Sequence, residues 1–259
     1  MADSKRSLVY GLHAINAVLE RAPHRLLELW VAQPRDDART RGLKDRAQSA
    51  GVHVQPVSTA VLAKLVGDVA HQGAVAAVRP LKAWDELDLI RSLSQIAAGE
   101  PDPLLLILDG VTDSHNLGAC LRTAAAAGVH AVLIPKDRAA AVDGVVRKVA
   151  AGAAELVPVA SVTNLARCID LLKERGIWVV GTDAEAPQTL FAADLKRPLA
   201  LVLGAEGGGM RRLTRERCDF LVRIPTSDQV ESLNVSVAAG VALFEARRQR
   251  GPAVDRRHP

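Results

Sequence analysis

Aromatic side chains are scarce in this chain, at 3% of its 259 residues. RNA-binding sheets that stack nucleobases depend on exposed aromatic rings, so this scarcity argues against a stacking platform. Cysteine is also rare. Cys120, Cys168 and Cys218 are far apart in the chain and lack the spacing of metal ligands, which predicts buried, reduced thiols.

Long hydrophobic runs are absent as well. The longest apolar stretches are too short to cross a bilayer, and the first residues, MADSKRSLVYG, lack the apolar centre of a secretion signal. Hydrophobic residues nevertheless make up 49% of the chain, which is typical of a globular protein with one or two domains. We therefore expect a soluble cytoplasmic protein with no membrane partner.

Positive charge is only slightly in excess, since 33 basic and 29 acidic residues give a net charge of +4. Residues 1–80 contain 11 Lys/Arg and 7 Asp/Glu, residues 81–103 contain 2 and 5, and residues 104–259 contain 20 and 17. Two mildly basic segments therefore flank an acidic one. This small excess does not by itself establish a nucleic-acid partner.

The first segment, residues 1–80, has the pattern of a small α/β domain. Its hydrophobic periodicity predicts helices over 13–20, 36–50 and 58–66, and strands over 26–32, 52–54 and 74–78. A group of basic residues near the second helix forms either a solvated face or a phosphate-binding face: Arg35, Arg39, Arg41, Lys44 and Arg46.

A helix over 84–98 and an extended Pro-Asp-Pro stretch make residues 81–103 a candidate linker.

From Leu104 onward the pattern alternates between strand and helix. The predicted strands are 104–108, 131–134, 155–159, 177–180, 199–203 and 220–224. The predicted helices are 117–127, 139–151, 164–175 and one that begins near Asn234. This alternation is typical of a mostly parallel sheet with helices on both faces.

A glycine-rich loop, Gly204 to Gly209, follows the strand over 199–203. The end of the next strand and the start of the last helix also carry polar residues, so the three segments together predict one pocket. The loop alone is equally consistent with a nucleotide-type ligand and with a tight turn. The phosphate-binding motif of NTPases is excluded, because no Gly-Lys-Ser/Thr occurs.

Several polar residues near these segments have both a structural and a functional interpretation. Arg122 is either a surface or ion-paired arginine, or a guanidinium held at a site. Asn116 and Asn234 are placed as helix N-caps, and Glu206 and Ser232 can also cap helices. Asp109 and Asp113 lack a third ligand at useful spacing, so no metal site is predicted.

Three stretches resemble the signatures of a known family. LILDGVTDSHNLGACLRTAAAAGVHAVLIP, LALVLGAEGGGMRRLT and IPTSDQVESLNVSVAAGVALFEARRQR resemble, in order and spacing, the three motifs of the SpoU (TrmH) RNA ribose 2′-O-methyltransferases. YGLHAINAVLE and HQGAVAAV resemble a subgroup that methylates a guanosine of 23S rRNA. The one small departure is Ser114, where the family usually has proline.

The resemblance implies a particular fold and assembly. A C-terminal SPOUT-type α/β domain, residues 104–259, would have a mostly parallel sheet and a deep trefoil knot. Residues 1–80 would form a small α/β RNA-binding domain like a ribosomal protein, joined by the linker 81–103. Members are homodimers through the C-terminal domain, with the active site at the interface.

The resemblance also implies the chemistry and the site. The reaction would transfer a methyl group from S-adenosylmethionine to a guanosine 2′-hydroxyl in the peptidyl-transferase region of 23S rRNA, without a metal. The implied catalytic residues are Asn116, Arg122, Glu206, Ser232 and Asn234. The implied cofactor-binding residues are Gly181, Thr182, Gly204, Ile224 and Leu233. The alternatives are methylation of a tRNA or another rRNA site, or a non-catalytic RNA-binding ribosome-assembly factor.

Overall fold

The computed structural model describes residues 6–33, 37–67, 69–97, 102–227 and 232–251. Its contacts divide the chain into two compact units. The first comprises Met1–Lys82 with Ala151–Leu156, and the second comprises Ala83–Ala150 with Val157–Pro259. Within the described ranges, no helix is both long and apolar enough to cross a bilayer.

The first unit is a small α/β domain. Its elements are β1 (Ser7–Tyr10), α1 (Leu12–Arg21), β2 (Leu26–Ala32), α2 (Ala38–Ser49), β3 (His53–Val57), α3 (Thr59–Val66) and β4 (Ala74–Val78). The sheet order is β1-β4-β2-β3. Strand β4 pairs antiparallel with both β1 and β2, whereas β2 and β3 are parallel. The apolar faces of α1 and α2 cover one side of this sheet, with Ile15, Leu29 and Leu43 fully buried.

A buried ion pair fixes the short stretch Ala151–Leu156 within the first unit. The Arg25 guanidinium lies 2.5 Å from the Glu155 carboxylate and also donates to the Glu155 carbonyl at 2.9 Å. The backbone N–H of Leu81 donates to the same carboxylate at 3.0 Å. Loss of one partner would leave an uncompensated buried charge, so this pair is a strong constraint on the local structure.

The second unit contains the larger sheet. Its elements are α4 (Glu86–Ala97), β5 (Leu104–Asp109), α5 (Ser114–Ala127), β6 (Ala131–Pro135), α6 (Gly144–Val149), β7 (Val159–Val162), α7 (Leu165–Lys173), β8 (Trp178–Thr182), β9 (Gln188–Thr189), β10 (Leu199–Gly204), α8 (Arg212–Arg217), β11 (Phe220–Arg223) and α9 (Val235–Gln249).

This sheet is parallel, as the alternation of strands and helices predicts. The described residues form seven strands in the order β7-β6-β5-β10-β8-β11-β9, and each neighbouring pair is parallel. Strands β5 and β10 lie at its centre, and residues 104–108 and 199–203 are buried because helices cover both faces. Helix α9 packs against α5.

Three predictions about this half of the chain are wrong. The helix predicted over 139–151 is shorter: Asp143 caps α6 at its start, and Ala151 and Gly152 have left-handed backbone angles that end it. The strand predicted over 155–159 begins only at Val159, after a 3₁₀ turn. Asn116 is not an N-cap, because Asp113 accepts its backbone N–H at 2.7 Å and begins α5.

Candidate active site

A cavity of about 1030 Å³ lies at the carboxyl ends of β8, β10 and β11 in the second unit. This is where parallel α/β sheets bind ligands, because loops at that edge diverge from the strands. Four segments form its walls, namely residues 182–185, residues 203–210, residues 223–226 and the start of α9 with the two residues 232–233 before it, and Arg215 of α8 also contributes. The pocket predicted from two strand ends and one helix start is therefore present.

The glycine loop approaches its own strand so closely that Gly204 tolerates no side chain. A Cβ at this position would stand 2.0 Å from the Gly209 carbonyl carbon and 2.2 Å from the Met210 nitrogen. Paired backbone hydrogen bonds between Ala205 and Gly209 close the loop. Gly207 and Gly209 have φ angles of 73° and 60°, which favour glycine. The sequence forms this tight loop because glycine occupies each demanding position.

Three polar side chains from distant parts of the chain meet beside this loop. The Asn116 amide donates to Glu206 Oε1 at 3.3 Å, and the Asn234 amide donates to Asn116 Oδ1 at 3.0 Å. Asn234 also donates to Glu206 Oε1, as does the backbone N–H of Val235 at 3.3 Å. Asn234 is the N-cap of α9, as predicted, and Glu206 lies at the positive end of the same helix.

The remaining candidate residues lie in the cavity wall, beneath that wall or, for Arg122, outside the cluster. Thr182, Gly204, Ile224, Ser232 and Leu233 line the cavity together with Glu206. Gly181 is instead buried beneath it, where an added Cβ would meet Met210, Cys218 and Leu221 within 2.8 Å.

Arg122 lies outside this cluster. It is exposed on α5, six residues or about 9 Å of helix beyond Asn116. Its side chain makes no hydrogen bond or ion pair with any residue in the described ranges.

Charged residues that the sequence analysis did not single out also line the cavity. Arg215 donates to Asp183 at 2.6 Å, and this hydrogen bond lowers the pKa of the Asp183 carboxyl below its usual value. Arg223 donates to the Ala186 carbonyl at 2.6 Å. The only sequence signal for Asp183 is its position after the strand ending at Thr182.

The structure gives no cysteine a nucleophilic environment. Burial raises the pKa of Cys120, Cys168 and Cys218 to about 12, so all three thiols stay protonated near neutral pH. Across the described residues, no group of three His, Cys, Asp or Glu side chains could hold a metal ion. Cysteine thiolates and a bound metal are thus not available to this site among the described residues.

Comparisons with known proteins match both units of the chain. Residues 103–244 match the SpoU rRNA Methylase family, and residues 8–84 match the RNA 2′-O ribose methyltransferase substrate-binding family. A relative from Pectobacterium atrosepticum, 23S rRNA (guanosine-2′-O-)-methyltransferase RlmB, is 54% identical over 244 residues, which are 94% of this chain and 98% of the relative.

Two solved structures extend the comparison. The SpoU methyltransferase AviRb from Streptomyces viridochromogenes, in complex with AdoMet, has a TM-score of 0.68 and 26% identity, covering 95% of this chain and 91% of that chain. The A. aeolicus TrmH/SpoU tRNA modifying enzyme has a TM-score of 0.54 and 28% identity, covering 64% of this chain and 84% of that chain. The chain therefore belongs to the SpoU rRNA methylase family, with a region that matches the substrate-binding family preceding the methylase region.

Proposed function

We propose that this protein transfers a methyl group from S-adenosylmethionine to the ribose 2′-hydroxyl of a guanosine in 23S rRNA, in its peptidyl-transferase region. The observation that carries the proposal is the 54% identity to an RlmB methyltransferase across 94% of the chain. The match to the tRNA modifying enzyme covers only 64% of the chain, which favours the rRNA substrate. We propose a cytoplasmic location as well, which the similarity to a ribosomal RNA methyltransferase supports.

The cavity fits S-adenosylmethionine in size and lining. Its volume of about 1030 Å³ is at the upper end of the range of small-ligand sites. Ile224 and Leu233 offer apolar surface for the adenine ring, while Thr182 and the backbone at Gly204 offer polar groups. Gly181 supports this wall from beneath, because it leaves room for Met210. When bound, the cofactor supplies an electrophilic methyl group.

The polar residues beside the cavity suit a ribose substrate. Asn116 and Asn234 orient the Glu206 carboxylate, and Ser232 stands exposed at the cavity wall. These groups can position the ribose by hydrogen bonds, which is the main requirement of an in-line displacement. Arg122 has N–H donors and positive charge but no acceptor. We assign it binding of the adjoining phosphate and stabilisation of charge on the 2′-oxygen as the hydroxyl proton passes to water, while the new O–CH3 bond forms and the S–CH3 bond of the cofactor breaks to leave S-adenosylhomocysteine.

A dimer would explain why Arg122 lies apart from the other site residues. The side chains of Val237 and Phe244 are about half exposed, and together with Gly240 they lie on one stripe of α9. Gly240 lies close to Thr123 of α5, which is next to Arg122 in the chain. We propose that this stripe pairs with a second copy, whose site Arg122 completes.

The knot is part of the same proposal. We also propose the deep trefoil knot that the family resemblance implies, and the match of residues 103–244 to the SpoU rRNA Methylase family supports it. A crystal structure tests both the dimer and the knot. A monomer would contradict the proposed dimer, and an unthreaded chain would contradict the proposed knot.

The first unit supplies the RNA-binding face in this proposal. Arg39 and Arg46 are exposed on α2, and Arg46 donates to Asn16 of α1 at 2.7 Å. Arg35 lies outside the described residues. Replacing Arg39 with Glu should weaken RNA binding and reduce its dependence on salt, because one phosphate contact is lost. An unchanged affinity would argue for a merely solvated face.

Titration calorimetry with S-adenosylmethionine distinguishes this enzyme from a non-catalytic assembly factor. We expect saturable binding by the full-length protein, because the cavity and its glycine loop are already formed. No binding, even with RNA present, would favour the assembly factor instead.

A further inference from the structure

The loop that carries Glu206 has little intrinsic rigidity. Its three consecutive glycines, Gly207 to Gly209, give the backbone more conformational freedom than any other residue type would. Glu206 nevertheless has to meet Asn116 and Asn234 within hydrogen-bonding distance. The hydrogen bonds between Ala205 and Gly209 close the loop on itself, so its orientation also depends on what holds the chain where it leaves the loop.

Asp109, the last residue of β5, anchors the end of the loop at Arg211. Asp109 Oδ2 accepts the Arg211 backbone N–H at 2.9 Å, and Oδ1 accepts from Arg211 Nε at 2.6 Å. The Arg211 Nη2 atom lies 2.6 Å from the same Oδ1. Because one carboxylate holds both the backbone and the side chain of Arg211, it fixes the orientation of the chain there as well as its position.

Burial of its carboxylate distinguishes the Asp109–Arg211 ion pair from the Arg217–Asp170 pair of α8. The Asp109 side chain is 0% exposed, so an uncompensated charge there would be strongly unfavourable. Arg217 pairs with Asp170 at the opposite end of α8, where the two side chains are 47% and 38% exposed. Exposed pairs of this kind contribute little. Arg211 itself is 46% exposed, so it is the burial of the Asp109 carboxylate that makes this pair the stronger constraint on the chain at the end of the loop.

We propose that Asp109 and Arg211 are positioning residues for methyl transfer, which hold Glu206 in place against Asn116 and Asn234. Asp109 also leads through Gly110 into the segment that ends at Asn116, so the pair joins two of the three segments of the site. Neither residue touches the reacting atoms in this proposal. The expected loss of kcat rests on the proposed function, whereas the expected loosening of the loop does not.

The test compares Asp109→Asn with Asp170→Asn, a matched change at the exposed pair of α8. Asp109→Asn should lower kcat by about 10- to 100-fold with little change in KM for RNA, because a displacement of about 1 Å at a reacting centre costs on the order of 100-fold. Hydrogen exchange of residues 206–210 should accelerate in Asp109→Asn, and Asp170→Asn should alter neither property. Arg211→Lys, which keeps the charge, should lie between wild type and Asp109→Asn.

A double-mutant cycle separates positioning from general destabilisation. If Asp109 acts through Glu206, Asp109→Asn should cause little further loss of kcat in a Glu206→Ala background. Losses that multiply in the double variant, or unchanged loop exchange in Asp109→Asn, would overturn the inference. Faster loop exchange in a protein that methylates no RNA would instead leave the positioning pair standing and contradict the proposed function.

Discussion

Replacing Arg122 with Ala should lower kcat for RNA methylation by about 100- to 1000-fold while leaving the fold intact. The magnitude is that expected when one donor to a developing oxyanion is removed. The fold should survive because Arg122 is exposed and makes no hydrogen bond or ion pair within the described ranges. Rates with labelled S-adenosylmethionine, together with thermal unfolding, measure the two effects separately.

Two control variants make the Arg122 result specific. Arg122→Lys keeps the positive charge but loses the planar fork of donors, so its kcat should remain well below wild type. Arg167→Ala removes an exposed arginine from α7, remote from the cavity, and should leave kcat unchanged. Near-normal turnover by Arg122→Ala would contradict the role assigned to this guanidinium.

Replacing Gly204 with Ala should abolish cofactor binding and destabilise the second unit. The new Cβ would stand 2.0 Å from the Gly209 carbonyl carbon, and because that atom is backbone, the whole loop must move. Overpacking in a well-packed core typically costs about 1–3 kcal/mol, and a backbone obstacle places this change at or beyond the upper end. Calorimetry with S-adenosylmethionine and thermal unfolding measure the two losses.

Gly144→Ala is the matched control for this change. Gly144 begins α6 in the same unit, and a Cβ there would have no atom within 4 Å. Alanine also favours helix more than glycine does, so the variant should be at least as stable as wild type. If Gly204→Ala bound the cofactor as tightly as Gly144→Ala, the loop would not form the cofactor site.

Local sequence patterns predicted the limits of helices and strands well where a polar or turn-forming residue stands at the end of the element. Strands β2 and β4 have the predicted limits, because each apolar run stops at a polar or turn-forming residue. The pattern was misleading over 139–151, where an alanine-rich stretch looks helical throughout. The helix begins only at the cap Asp143, and left-handed backbone at Ala151 ends it.

The candidate site was predictable residue by residue only through the family resemblance. Asn116, Glu206 and Asn234 each have an ordinary capping interpretation when considered alone, and only the fold brings them together. The Asp109–Arg211 pair joins residues 102 positions apart, so no local pattern could reveal it. The separate position of Arg122 on α5 likewise follows from the fold, which periodicity does not encode.

The most direct test of the proposed activity is methyl transfer from labelled S-adenosylmethionine to unmodified 23S rRNA, 16S rRNA and tRNA in parallel, with the modified nucleotide mapped. Assembling ribosomal particles should be included, because an enzyme that acts during assembly would label the RNA only in such particles. The account predicts label in a single 2′-O-methylguanosine of 23S rRNA. Label confined to tRNA or 16S rRNA, or absent from every RNA and particle, would contradict it.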